Sequence, residues 1–322
     1  MILPTDFQRL YEHFFHREPP DRVTWESSQA DILSQGRGFM DGFNLTMQLH
    51  VGCPGGCLFC YVRNQARLAP KEVRGANWGF RVRNKEGAVE KLQKHLQRGR
   101  LADKTIYWSG VTDPYAAAPT LTRAIWTTLL SAPAELRPRR IAVQTRFRPD
   151  RDTALIRQYA AETATSDGGP AVVVSYSIGT DRNDLIHAWE HATPSFEQRM
   201  TAIHTLCEAG VFVVAALSPL GLWHDLHGTL TFFKTWGVAY MTCLFLKEHT
   251  PSANTPPYFL DYVREHYPML LDERWQAEQV RTMQAVFGVD RVLLGKEGFD
   301  SLVRPHLVER CMRTAPNVAS LC

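Results

Sequence analysis

The sequence predicts an α/β protein whose parallel strands curl into a partial (β/α)6 TIM-type barrel, with an extension at each end. Three observations carry that reading. Short apolar, β-rich runs alternate with helical patterns through the middle of the chain, three cysteines crowd into one glycine-rich loop after the first run, and neither flank continues the alternation.

The runs lie at Leu45–Val51, Thr105–Ser109, Arg140–Thr145, Ala171–Ser177, Val211–Leu217 and Val238–Leu246. Each is short and bounded by Gly, Pro or charged residues, as strands buried on both faces are. Helical patterns at Ala88–Leu96, Leu121–Leu130, Thr153–Glu162, Phe196–Glu208 and Leu226–Thr235 fill the intervals. Such alternation implies parallel strands joined by right-handed crossovers. A complete eight-fold barrel takes about 250 residues, and here the repeating part covers only the middle of the 322. The expected organisation is an N-terminal extension over 1–42, a barrel over 43–250 and a C-terminal extension over 251–322 that closes it. The first flank holds a short amphipathic helix near Phe7–Phe15, then Pro19-Pro20 and a polar stretch. The last holds a proline-bearing loop from Thr250, a long helix over Asp272–Phe287, a strand-like Arg291–Leu294 and a final helix around Leu302–Met312.

With 44% hydrophobic and 21% charged residues, the chain has the composition of a globular protein with a sizeable core. Its net charge of +3 decides neither for nor against a phosphate-bearing partner. No stretch approaches the roughly 20 apolar residues of a membrane span, and Asp6, Arg9 and Glu12 do not fit a secretory signal. The expected location is the cytoplasm, with no membrane partner. Seven cysteines, an odd number with three clustered, do not make a disulfide framework. In a reducing compartment, clustered thiols are more often metal ligands.

The cluster reads His50-Val51-Gly52-Cys53-Pro54-Gly55-Gly56-Cys57-Leu58-Phe59-Cys60. It stands at the C-terminal end of a predicted strand, where parallel α/β folds carry their active sites. Three readings compete: an iron–sulfur cluster, a structural zinc site with His50 as fourth ligand, and unligated thiols. Zinc sites usually pair ligands from two separated segments, and no second pair exists here. Three thiolates on a four-iron cube leave one iron without a protein ligand.

Cys-x3-Cys-x2-Cys with an aromatic residue before the last cysteine is the motif of the radical S-adenosylmethionine (SAM) superfamily, which this chain resembles. The resemblance implies a [4Fe-4S] cluster on Cys53, Cys57 and Cys60 whose open iron chelates the SAM amino and carboxylate groups. One electron then splits a carbon–sulfur bond, and the resulting 5′-deoxyadenosyl radical takes hydrogen from a substrate. It also implies a low-potential electron donor of flavodoxin or ferredoxin type as a partner. Asn77-Trp78-Gly79, Gly87–Leu92, Ser109–Tyr115, Ser177–Thr180, Glu190, Pro194-Ser195, Arg199, Ala209-Gly210 and Ser218-Pro219 resemble, in order, the spore photoproduct lyase-like subgroup.

That likeness covers roughly residues 43–225 and implies cofactor-binding roles for Phe59, Ser109, Gly110, Thr112, Asp113, Arg146, Ser177 and Arg199. Ser109-Gly110 would face the SAM amino group, Arg146 and Arg199 its carboxylate, and Ser177 its ribose or carboxylate. Taken singly, Ser109-Gly110 also reads as a turn, the arginines as solvated and Asp113 as a helix cap. One departure stands out. The lyase uses a downstream cysteine as hydrogen-atom donor, and no cysteine lies between Cys60 and Cys207. A small-molecule substrate is therefore expected in preference to nucleic acid, with Tyr115 and Cys243 as the catalytic candidates at the barrel mouth. Alternatives are transfer of the 3-amino-3-carboxypropyl group of SAM in specialised metabolism, and lyase-like nucleic-acid repair or modification. For the latter, Arg137, Arg139, Arg140, Arg146, Arg148 and Arg151 would track phosphates.

Overall fold

The computed structural model describes residues 4–116, 119–246 and 255–305. Helix α1 (Thr5–Phe15) leads to strands β1 (Thr24–Ser28), β2 (Leu33–Gln35), β3 (Leu45–Met47), β4 (His50–Val51) and β5 (Arg81–Lys85). The repeating part continues as α2 (Ala88–Gln97), β6 (Thr105–Trp108), α3 (Pro119–Ser131), β7 (Arg140–Thr145), α4 (Thr153–Glu162) and β8 (Val172–Ser177). It ends as α5 (Asn183–Trp189), α6 (Phe196–Glu208), β9 (Val213–Leu217), α7 (Leu226–Trp236) and β10 (Tyr240–Cys243). Helices α8 (Pro257–His266) and α9 (Glu273–Phe287), strand β11 (Val292–Leu294) and helix α10 (Gly295–Val303) follow.

The six predicted runs supply β3, β6, β7, β8, β9 and β10, which lie side by side in that order, all parallel. Strand β2 adds an antiparallel edge at one end and β11 a parallel edge at the other, giving eight strands. Every residue of β8, β9 and β10 is buried, as expected of parallel strands covered on both faces. The alternation of side chains divides the sheet into two packing layers. Val143, Val174, Val213, Leu217 and Met241 meet Trp126, Leu129, Ile203, Leu206, Leu230 and Phe233 of the surrounding helices. On the opposite, concave face, Tyr107, Ala142, Val173, Val214 and Tyr240 meet Leu302 and Val303 of α10.

Helix α10 therefore lies inside the open barrel. Ser301 donates to the Tyr240 hydroxyl at 3.0 Å, and the buried Arg140 guanidinium donates to the Val303 carbonyl at 2.7 Å. Gly298 permits the contact, because a Cβ there would stand 3.0 Å from that of Thr242.

Three local expectations are corrected. Residues 45–51 do not form one strand: Lys85 donates its N–H to the Leu49 carbonyl, and His50–Val51 turn away to pair antiparallel with β5 in a separate sheet, β1-β5-β4. The polar stretch after Pro20 contains β1, paired in parallel with β5. Residues 247–254 of the expected proline-bearing loop lie outside the described residues, but from Pro257 the chain is helical. Proline is tolerated at a helix start, where its missing N–H has no partner to lose. The end of the predicted final helix, Cys311 and Cys322 also lie outside the described residues. Among the described residues, no helix is long and apolar enough to cross a membrane.

Candidate active site

The cysteine loop leaves β4 and crosses the C-terminal ends of the barrel strands. Gly56 sits at φ +60°, and a Cβ there would fall 2.3 Å from the His191 ring, so only glycine fits this turn. The buried Arg63 donates to the carbonyls of Gly56 (2.6 Å) and Gly75 (3.0 Å). From the opposite side, Leu58 donates its N–H to the Trp189 carbonyl (2.9 Å), while Tyr258 donates to the Leu58 carbonyl (3.0 Å). The loop is thus fixed by the adjacent Arg63 and by groups from two distant segments.

Cys53, Cys57 and Cys60 all line one cavity. Burial pushes all three thiols up, Cys53 to about 12, so their thiolate forms call for a compensating metal charge. A single ion does not suit the arrangement. Among the described residues, no three His, Cys, Asp or Glu side chains converge on a point that one ion would occupy. His50 does not join the cysteines: it lies in β4, its Nδ1 pairs with the Asn84 side chain at 3.0 Å, and it does not line the cavity that they share. A cube of four irons takes its thiolates at separate corners, and three cysteines lining one cavity could supply three of them.

The wall opposite is built at the ends of β6, β7 and β8. Gly110 (φ +118°) is covered by Met40, whose sulfur would lie 2.9 Å from a Cβ, and its carbonyl accepts from Tyr61 at 2.6 Å. The Asp113 carboxylate accepts from the Tyr115 N–H (2.9 Å), the Thr145 hydroxyl (2.7 Å) and the Arg146 N–H (2.9 Å), tying β6 to β7. Arg146 places its guanidinium 5.1 Å from the centre of the Phe59 ring. It pairs with Glu190 at 2.8 Å and donates to the Ser218 carbonyl at 3.2 Å. Arg199, with no exposed surface, grips the other oxygen of Glu190 at 2.6 Å. Burial alone would raise Glu190, but the two guanidiniums outweigh it and hold its pKa down to about 2. The result is a buried Arg146–Glu190–Arg199 chain that ends at the cavity.

No family model and no curated protein matches the sequence. Solved structures do match. A cysteine-to-serine variant of spore photoproduct lyase aligns with a TM-score of 0.51 at 13% identity, covering 91% of this chain and 96% of that one. A double variant of the same lyase, with bound AdoMet and dinucleoside spore photoproduct, gives 0.50 at 14%, covering 89% and 93%. The chain shares the partial-barrel fold of these structures. The likeness extends over both flanks of the barrel, beyond the span of the sequence motifs.

Within that barrel, Phe59, Ser109, Gly110, Thr112, Asp113, Arg146 and Ser177 line the same cavity as the cysteines. Three predicted residues do not. Arg199 is sealed behind Glu190, so its guanidinium meets a protein carboxylate and not a ligand's. Tyr115 packs in the helix layer, where its hydroxyl accepts from the Trp126 ring N–H at 2.9 Å, and it faces a separate small cleft. Cys243 shares the parity of Met241 and joins the same helix-facing cluster, away from the concave face. Sequence reasoning missed Glu190 as a site residue, together with Tyr107 and Gln144, which also line the cavity. The readable signal for Gln144 was a polar residue one position before the end of an apolar strand.

The clustered arginines fall at opposite ends of β7, and most are already paired. Arg137 pairs with Glu162, Arg139 with Asp103, Arg140 with Asp167 and Arg148 with Asp150. With Arg146 held by Glu190, five of the six already have carboxylate partners.

Proposed function

We propose that this chain is a radical SAM enzyme, and the observation that carries the reading is the meeting of three cysteines with the β6–β8 wall in one cavity. Cys53, Cys57 and Cys60 would hold a [4Fe-4S] cluster and leave one iron open for the SAM amino and carboxylate groups. When bound, the cluster would pass one electron from an external donor to SAM, splitting a carbon–sulfur bond to give methionine and a 5′-deoxyadenosyl radical that takes hydrogen from an organic substrate. Ser109 and Gly110 border the place of the SAM amino group, and glycine lets the backbone approach closely. Arg146 has N–H groups left after its bonds to Glu190 and Ser218, and its fork geometry suits the SAM carboxylate. Ser177 offers a hydroxyl to the ribose. An electron donor of flavodoxin or ferredoxin type and a cytoplasmic setting go with this chemistry.

The pairing of the arginines speaks for a small-molecule substrate over nucleic acid. So does the lack, among the described residues, of a cavity-lining thiol besides the three cluster ligands. The test is anaerobic reconstitution with iron, sulfide, SAM and a strong reductant, followed by identification of the SAM-derived product. The expected product is 5′-deoxyadenosine. Methylthioadenosine would replace this reading with 3-amino-3-carboxypropyl transfer, and intact SAM would overturn both.

A further inference from the structure

The deeper end of the cavity adjoins the wall expected to hold SAM and shares Ser177 with it. One residue in from the ends of β6 and β7, Tyr107 donates its hydroxyl to the Gln144 carbonyl oxygen, and the Gln144 amide donates to Ser177 at 3.2 Å. Rings from the two extensions stand beside this row. Phe39 and Phe299 meet edge to face at 5.3 Å, and the Tyr107 ring lies 6.0 Å from Phe299. Phe39, Met40, Tyr107, Gln144 and Phe299 all line the cavity.

Hydrogen-bond accounting leaves Gln144 with a second amide N–H beyond its bond to Ser177. Every polar group in this row is neutral. Among the described lining residues only Asp113 and Arg146 carry charge. Asp113 already accepts three bonds and Arg146 is paired with Glu190. With the remaining Arg146 N–H groups taken by the SAM carboxylate, a phosphate drawn into this end would lose its water without gaining a cation among the described lining residues, which is strongly unfavourable. A flat ring would instead stack against Tyr107 and Phe299.

We propose that this end of the cavity takes an uncharged, flat aromatic molecule with a carbonyl or ring-nitrogen acceptor on one edge, as the substrate class of the radical reaction. The proposal rests on the radical SAM reading above. Phe39, Met40 and Phe299 select the flat face, and Gln144 supplies a hydrogen bond to the edge.

The test uses anaerobically reconstituted protein saturated with S-adenosylhomocysteine, so that the SAM end of the cavity is filled. Equilibrium dialysis is run with carbostyril, a neutral flat lactam, and with thymidylyl-thymidine, which carries a phosphate. Saturable binding of carbostyril alone is expected, weakened about tenfold by Gln144→Leu and again by Phe299→Ala. Retained cluster absorbance and S-adenosylhomocysteine binding show that each variant is folded; if Phe299→Ala loses them, Phe299→Leu takes its place. The proposal is overturned by absent or unsaturable carbostyril binding, by release of the S-adenosylhomocysteine, by unchanged affinity in both variants, or by preference for the dinucleotide. A wild-type protein that holds no iron or no S-adenosylhomocysteine would break the underlying reading instead, and that failure registers on separate signals.

Discussion

The two ends of the cavity come from different parts of the chain. At the cysteine end, the groups belong to the barrel repeat and to the loop after its first strand: Cys53, Cys57, Cys60, Phe59, Ser109, Gly110 and Arg146. At the deeper end, Tyr107 and Gln144 of the barrel strands are joined by Phe39 and Met40 from before the first barrel strand and by Phe299 from a helix laid inside the barrel after its last crossover. The difference separates two tasks. On the proposed reading the repeat would seat the cofactors, whereas the extensions shape what lies next to them, with Met40 touching both.

The sharpest way to break this division is at the cysteines. Replacing Cys53, Cys57 and Cys60 together by Ala should remove all cluster iron and the thiolate-to-iron absorbance. The barrel should persist, because its two packing layers do not include these side chains. Full iron content in the triple variant, measured after anaerobic purification, would sink the assignment.

The buried chain of charges comes next. Glu190→Gln leaves two guanidiniums facing a neutral amide, and loss of one partner of a buried pair costs about 3–5 kcal/mol. Denaturant unfolding should show that loss at neutral pH. A second signature is the pH profile. The folded-state pKa of Glu190 lies near 2, below its ordinary 4.5, so its contribution is complete above about pH 4.5 and fades as pH falls toward 2. Wild-type stability should therefore drop across that window, and the Gln variant should show a shallower fall. Identical slopes would mean that Glu190 is not held ionised by Arg146 and Arg199.

Arg146 sharpens the comparison, because it is the member of that chain that reaches the cavity. Arg146→Ala should weaken SAM binding by about 1.5–3 kcal/mol, the worth of a charge-assisted hydrogen bond, while the cluster stays intact. Arg199→Met should lower stability without a comparable direct loss of SAM contact. Calorimetry showing unchanged SAM affinity for Arg146→Ala would remove it from the cofactor wall.

Much of this architecture was legible in the residues, and the misses have physical causes. Helices α4 and α6 begin and end on the residues that their periodicity predicts, and Ser195 closes α6 with a full capping box. All six apolar runs became neighbouring parallel strands. Strand β1 was hidden because Thr-Trp-Glu-Ser-Ser is largely exposed and carries little apolar alternation. Arg199 and Arg146 look alike in sequence, and only the long-range position of Glu190 shows which one is sealed and which one faces the cavity. Phe39 and Phe299 stand 260 positions apart in the numbering, outside the motif-bearing span, and nothing local announces that they meet.

Cys243 is the smallest test and bears on the fate of a substrate radical. Period-two alternation says that neighbouring strand residues face opposite ways, but the sequence alone does not say which way is inward. The structure gives Cys243 the parity of Met241, which packs with Phe233 and Leu230 of α7, and burial raises its thiol to about 12. That placement predicts a small core residue with no part in hydrogen-atom donation. Cys243→Ala should therefore cost about 1 kcal/mol of stability, for the lost packing of one buried atom. It should leave the rate of 5′-deoxyadenosine formation at the wild-type value. A variant that unfolds like wild type yet stalls with an unquenched substrate radical, seen by electron paramagnetic resonance, would return Cys243 to the reaction. The parity of β10 would then have to be the reverse of the one described.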